Sequence, residues 1–151
     1  MLSTLLTVML SLGPGLQPAG GAPSPQVVFV CEHGAAKSLI ATLYFNKLAA
    51  ERGIAARASF RGVDPQDALS VRAVAGLNDD GLAIPAQRPT AITAADVAAA
   101  THIFAIGCSL PASAAQSAKA SSWDDVPDDQ GYGPMRDAIV RHVRALIDTL
   151  R

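Results

Sequence analysis

Short apolar runs alternate with amphipathic stretches along the chain, and this pattern predicts an α/β fold with a parallel sheet. Residues 26–31 and 101–106 are nearly continuous apolar runs, rich in β-branched and aromatic side chains. Runs of this kind are typical of strands that are buried on both faces. A further strand is predicted over 56–60, leading into Arg61-Gly62, and a short fourth strand over 121–123.

Between these runs, apolar residues recur at helical spacing. The predicted helices cover residues 36–52, 67–82, about 93–100 and 134–151. Gly53 and Gly81 stand where a helix terminator is expected, and Thr93 with Asp96 resembles a capping box. Helices that alternate with strands require βαβ crossovers. The expected fold is therefore a three-layer α/β/α domain over residues 25–151, with a four-stranded parallel sheet.

The first 24 residues do not continue this pattern. An apolar run over 2–12 is too short to span a bilayer, and it is followed by small residues near Gly21 and Ala22. This order is typical of a secretory signal and predicts export to the periplasm or beyond, with no stable membrane anchor. No basic residue precedes Lys37, so a downstream start at Met9 or later, giving a cytoplasmic protein, is the alternative.

Composition narrows the classes of function. The 151 residues carry a formal net charge of -1 and no long basic run, which argues against a nucleic-acid partner. The two cysteines, Cys31 and Cys108, are too few and too far apart for a disulfide-stapled scaffold or a cysteine-based zinc site. No metal or organic cofactor is implied.

The segment after the first predicted strand carries the clearest chemistry. It reads Cys31-Glu32-His33-Gly34-Ala35-Ala36-Lys37-Ser38. Backbone N–H groups curled through such a loop, together with the helix N-terminus that follows, form a site for phosphate or arsenate. The same positive field favours the thiolate form of a cysteine, so Cys31 is the predicted nucleophile. In parallel sheets such sites lie at the carboxyl ends of the strands, where residues 107–112 and 124–133 are also expected.

This loop resembles that of the low-molecular-weight protein tyrosine phosphatase family, which includes a thioredoxin-coupled arsenate reductase branch. The family pattern is a cysteine, five residues, an arginine and a serine. The resemblance covers most of residues 26–150 and extends to Arg61-Gly62, Asp80-Gly81-Leu82, Arg88-Pro89, Ile92-Thr93 and Trp123 to Pro127. It implies hydrolysis of phosphate monoesters through a phosphocysteine.

The resemblance also implies roles for individual residues. Cys31 attacks the phosphorus atom, the loop from Glu32 to Lys37 binds the oxyanion, and Ser38 assists the thiolate. Asp125, or Asp124 beside it, is the expected general acid. Lysine at position 37 departs from the family, because a point charge cannot replace the bidentate grip of arginine. Glu32 places a second anion beside the anion site.

The presence of Cys108 means that the sequence alone does not decide between phosphate hydrolysis and arsenate reduction. It follows the third predicted strand, where the arsenate reductase branch carries a resolving thiol, but the chain has no third cysteine to complete an internal relay. An external thiol reductant would then be needed. A small buried residue at a strand end is an equally good reading of Cys108. The alternatives are thus a phosphatase, a thiol-dependent arsenate reductase, and an oxyanion-binding domain without strong turnover.

Overall fold

The computed structural model describes residues 21–150. The predicted leader at residues 1–24 lies almost entirely outside this part of the chain, so export and the alternative downstream start both stay predictions. Within residues 21–150, no helix has the length and apolar character needed to cross a bilayer.

Strands and helices alternate along the described chain, with two helices between β2 and β3. They are β1 (Gln26–Cys31), α1 (Lys37–Glu51), β2 (Arg57–Gly62), α2 (Val71–Asp79), α3 (Ala94–Ala99), β3 (His102–Ile106), α4 (Ala112–Ala115), β4 (Ala120–Trp123) and α5 (Tyr132–Thr149). All four strands are parallel, in the order β2-β1-β3-β4. The predicted α/β class and the four-stranded parallel sheet are confirmed.

The strand order explains where a ligand can bind. The chain leaves β1 to build β2 on one side and later returns to build β3 on the other side. At such a switch point, the connections after the two central strands run in opposite directions and leave a crevice at the carboxyl ends of the strands. Cys31 is the last residue of β1 and therefore lies at this crevice.

Alternate residues of β1 face two separate cores. Val27 and Phe29 belong to the larger core, which includes residues of α1, α2 and α5. Val28 and Val30 face a smaller core on the opposite side, with Val97 of α3 among the side chains packed against it. Helices therefore cover both faces of the sheet, which is why β1 is apolar at consecutive positions rather than at alternate ones.

Two helix predictions differ from the structure. The helix predicted from residue 67 begins only at Val71, because the Ser70 side chain accepts a hydrogen bond from the backbone N–H of Ala73 and caps it. Residues 68–70 line a cavity instead, and the Ser70 N–H donates to the carbonyl of Ala35. The four-residue α4 was not predicted, since its Ala/Ser sequence carries no periodic pattern.

One polar cluster joins three helices beside the large core. The carboxylate of Asp80, just after α2, accepts hydrogen bonds of 2.6 Å from the hydroxyls of Tyr44 in α1 and Tyr132 in α5. Arg136 of α5 donates to the same carboxylate at 3.1 Å. The hydrogen bond from Tyr132 is the largest of the effects that lower the pKa of Asp80. Burial, reinforced by the hydrogen bond to Asp80, raises the pKa of Tyr44 to about 12.

Candidate active site

The loop after β1 is shaped by a close backbone approach to β2. Gly34 has a φ of +62°, and a Cβ added there would lie 2.8 Å from the backbone nitrogen of Gly62. A Cβ added at Gly62 would in turn lie 2.8 Å from the nitrogen of Gly34. Glycine is therefore required at Gly34 for its left-handed backbone, and at both positions for space. This contact turns the loop back over the end of the sheet.

The loop carbonyls point away from the crevice. The oxygen of Glu32 accepts hydrogen bonds from the N–H groups of Val63 and Asp64, and the oxygen of Ala35 accepts one from Ser70. A carbonyl oxygen that faced an anion would repel it, so an anion-binding loop needs its carbonyl groups turned away from the anion, as they are here. The segment 63–70 thus fixes the orientation of the loop, although its sequence carries no motif.

Cys31 lies at the base of the loop beside Ser38. The side chain of Cys31 is buried, and its Sγ lies 3.1 Å from the Oγ of Ser38. With a thiolate at Cys31, the serine hydroxyl is the donor of this hydrogen bond. Ser38 is fully buried in the first turn of α1, so its hydroxyl is held in place for the sulfur.

Lys37 supplies the buried cation of the site. Its side chain is 9% exposed, and its Nζ lies 2.7 Å from the Oδ1 of Asp128, whose side chain is 69% exposed. The ammonium also lies against the backbone of Gly107, where an added Cβ would approach Nζ to 2.7 Å. The loops after β1, β3 and β4 therefore meet at this ammonium group.

These groups open into one cavity of about 790 Å³. Its polar and charged lining comes from Cys31, Glu32, His33, Lys37, Gln66, Ser70 and Asp128, and the rest from Ala35, Ala36, Ala68, Leu69, Val71, Gly107 and Met135. The lining includes no phenylalanine, tyrosine or tryptophan side chain. Within residues 21–150, no group of three or more His, Cys, Asp or Glu side chains is arranged to hold a metal ion.

The structure brings a different aspartate to this cavity from the two named on sequence grounds. Asp125 points to α5, where its carboxylate contacts Nε2 of His142 at 2.5 Å and accepts a hydrogen bond from Arg141 at 3.2 Å. The hydrogen bond with His142 is the largest of the effects that lower the pKa of Asp125, and the hydrogen bond from Arg141 adds to it. Asp124 accepts a hydrogen bond from the hydroxyl of Ser122 at 2.7 Å. Neither residue lines the cavity, whereas Asp128 does.

The burial of two neighbours accounts for this difference. Trp123 and Val126 are buried in the large core, which fixes the start of the loop and turns the carboxylates between them outwards. The chain reaches the cavity only after Pro127. Asp128 was missed because the loop holds four aspartates, and the sequence offers no sign of which one follows the last buried residue.

Cys108 lies outside the cavity. It is half-buried against the smaller core, and its thiol donates a hydrogen bond of 3.5 Å to the carbonyl of Val30. Burial raises the pKa of the Cys108 thiol to about 11, and the nearby Cys31 adds to this shift. Both cysteines are free. Cys108 thus packs against the smaller core and does not share the cavity that Cys31 lines.

The remaining predicted loop residues are placed around the rim. Glu32 and His33 are exposed and line the cavity, and Nδ1 of His33 lies 3.1 Å from the carbonyl oxygen of Asp64. Ala35 is buried, and Ala36 precedes the first turn of α1. The structure therefore brings Cys31, the loop, Lys37 and Ser38 together, and leaves Asp124, Asp125 and Cys108 outside.

The geometry agrees with a family assignment made from the sequence. The family model described as low molecular weight phosphotyrosine protein phosphatase matches residues 26–122, which is more than half of the chain. The chain belongs to this family. A comparison with curated proteins finds no match.

Solved structures with the low molecular weight phosphatase fold carry several activities. A thioredoxin-dependent arsenate reductase of Corynebacterium glutamicum superposes with a TM-score of 0.71 at 21% identity, covering 85% of this chain and 63% of that one. A low molecular weight phosphotyrosine phosphatase of Vibrio cholerae gives 0.68 at 17% identity, over 83% and 96% of the two chains. The Bacillus subtilis arginine phosphatase YwlE gives 0.71 at 17% identity, over 83% and 95%. At these identities the likeness shows the fold alone.

The contact between Gly34 and Gly62 has a measurable consequence for stability. Gly34→Ala should lower the free energy of unfolding by roughly 2–4 kcal/mol, because it adds a backbone clash to the strain of a left-handed residue. Gly53→Ala is a matched control, since Gly53 has a φ of +66° but nothing within 4 Å of an added Cβ. It should cost only about 1–2 kcal/mol, the strain of a left-handed residue alone. Urea denaturation measures both, and equal losses would contradict the close approach.

The environment of Cys108 predicts its reactivity. In a Cys31→Ser variant, Cys108 is the single thiol of the chain, and its alkylation by iodoacetamide should be slow at pH 7.5. The rate should rise about tenfold per pH unit above neutral pH, because only the thiolate reacts. Burial, the largest cause of the raised pKa of Cys108, remains in this variant, although the contribution of Cys31 is lost. Mass spectrometry follows the modification, and fast labelling at pH 7.5 would contradict the packed position.

Proposed function

We propose that the protein hydrolyses phosphate monoesters through a phosphocysteine intermediate. The observation that carries this proposal is the meeting of three groups at one cavity: the Cys31 thiol beside the Ser38 hydroxyl, the buried ammonium of Lys37, and the carboxylate of Asp128. A nucleophile, a cation for the transferring group and a proton donor are the parts that this reaction requires. Membership of the phosphatase family supports the same reaction.

In the proposed first step, the Cys31 thiolate attacks the phosphorus atom in line with the leaving oxygen. Loop N–H groups and the Lys37 ammonium stabilise the equatorial oxygens, where charge develops. The carboxyl group of Asp128 protonates the leaving alcohol, so Asp128 replaces Asp125 as the proposed general acid. In the second step Asp128 accepts a proton from water, which attacks the phosphocysteine and regenerates the thiolate, stabilised by Ser38.

The side chains of the cavity wall indicate how broad a range of substrates the site would accept. Beyond the charged groups, the wall is formed by small or aliphatic side chains such as Leu69, Val71 and Met135. Tyr132 borders only the adjoining cavity, and its hydroxyl is engaged by Asp80. An aryl ring would therefore be held by dispersion contacts without aromatic stacking. This supports phosphate monoesters as a class of substrate rather than phosphotyrosine in particular.

Arsenate reduction has less support. It needs a thiol to resolve the arsenylated cysteine, and Cys108 packs against Val30 outside the cavity with a raised pKa. An external reductant, as the name of the Corynebacterium enzyme states for that protein, would have to take this role. A binding domain without turnover stays the other alternative, because Lys37 supports binding more readily than transition-state stabilisation.

Activity on aryl phosphates tests the assignment of the nucleophile and the acid. The wild type should release p-nitrophenol from p-nitrophenyl phosphate, and Cys31→Ser should reduce kcat by a factor of about 10³ or more. Asp128→Asn should reduce kcat by roughly 10²-fold on phenyl phosphate, whose leaving group needs a proton. Asp129→Asn is the matched control and should leave kcat unchanged.

The outcomes separate the two assignments of the acid. A loss in Asp125→Asn with wild-type activity in Asp128→Asn would restore the sequence-based choice. An inactive wild type between pH 4 and 8 would contradict the hydrolase itself, and thiol-dependent release of arsenite would then favour the reductase.

Lys37 predicts a gain of function. Lys37→Arg should raise kcat on p-nitrophenyl phosphate by roughly tenfold, because a guanidinium holds two oxygens at once and one additional bond in the transition state has about that effect. Thermal unfolding of the same variant shows whether the larger side chain is accommodated. A folded Lys37→Arg protein with lower kcat would mean that the site is built around the ammonium group.

A further inference from the structure

The ion pair between Lys37 and Asp128 lies in the place where the substrate would need the cation. Lys37 is the one lysine or arginine among the described residues that line the cavity. Its Nζ is already 2.7 Å from a carboxylate oxygen, and Gly107 closes off another side of the ammonium. The cation that an oxyanion would need is therefore already paired with a carboxylate of the protein itself.

We propose that Asp128 is an internal competitor for the oxyanion site, which the phosphate group of the substrate must displace from Lys37. This inference rests on the proposed function, since it takes the cavity to be an oxyanion site. It adds a binding step in which one anion replaces another on a single buried cation.

The chemistry of lysine makes this exchange competitive. An ammonium is a compact point charge, whereas a guanidinium presents five N–H donors in a planar fork and can hold two anions on different edges. A phosphate dianion next to the Asp128 carboxylate would place three negative charges around one positive charge. Glu32 at the rim adds to the repulsion. One anion must therefore leave before the other is bound closely.

The structure makes Asp128 the partner that leaves. Lys37 is buried and fixed at the start of α1, but the side chain of Asp128 is mostly exposed and regains water when it moves. The start of its loop stays in place, because Val126 is buried in the core and Asp125 is held by His142. Residues 128–130 are exposed, so displacement disturbs little packing.

Displacement also prepares the proposed acid. While it is paired with Lys37, the carboxylate is held by the cation and is not available to a leaving group. Once phosphate occupies Lys37, the same side chain is free to turn to the leaving oxygen, and a proton taken up from solvent makes it the acid that the first step needs. Binding of the oxyanion and delivery of the acid are thus coupled through one ammonium group.

Affinity for inorganic phosphate tests the competition without reference to turnover. Calorimetric titration at fixed pH and ionic strength should show roughly fivefold tighter phosphate binding to Asp128→Asn than to the wild type. This factor corresponds to the loss of an ion pair in which one partner is exposed to solvent. Asp129→Asn removes the same charge from the next position, which does not line the cavity, and should bind like the wild type. Equal or weaker binding by Asp128→Asn would overturn the inference.

Two further outcomes separate this inference from the proposed function. Lys37→Gln should lose most of its phosphate affinity, with thermal unfolding as the check on its fold. If the wild type and Lys37→Gln bind phosphate equally, or neither the wild type nor Asp128→Asn binds it, the cavity is not the oxyanion site and both proposals fail. If Asp128→Asn and Asp129→Asn gain equally, the effect is general charge repulsion, and the competition alone is wrong.

Discussion

The site depends on a backbone contact between two glycines, Gly34 and Gly62. Because neither residue has a Cβ, the loop after β1 can lie directly on the end of β2 and turn back towards α1. That turn directs three of its hydrogen-bonded carbonyls to the segment 63–70 and places Cys31 and Lys37 at the same crevice. A side chain at either glycine would lift the loop and separate the sulfur from the cation.

Around this contact, the charge distribution is unusual for an anion site. A single buried ammonium faces two rim carboxylates, Glu32 and Asp128. Because these carboxylates offset its charge, the local electrostatic potential is far less positive than it would be around an unpaired cation. In the proposed exchange, an oxyanion would take the Lys37 ammonium from Asp128 and would receive further hydrogen bonds from the backbone N–H groups of the loop. The family fold persists under these conditions, because the sheet and the glycine contact do not depend on which cation follows the loop.

The fold could be predicted from the sequence because its signals are local. Each of these signals lies within a few residues: the buried runs at β1 and β3, and the motif from Cys31 to Ser38. Together they predict a parallel sheet with a site at the carboxyl ends of its strands. The choice of aspartate was not readable, since it depends on the burial of Trp123 and Val126 in the core. The late start of α2 was missed for a similar reason: residues 68–70 are held by the distant loop.

The cluster of Tyr44, Asp80, Tyr132 and Arg136 has a mechanical consequence for the loop that carries Asp128. It fastens the first turn of α5 to α1 and to the end of α2, while Val126 fastens the other end of the loop to the core. Only residues 127–131 lie between these two anchors, so Asp128 lies on a short segment that is held at both ends. The proposed exchange at Lys37 would therefore change only this short loop and would leave the helices and the sheet in place.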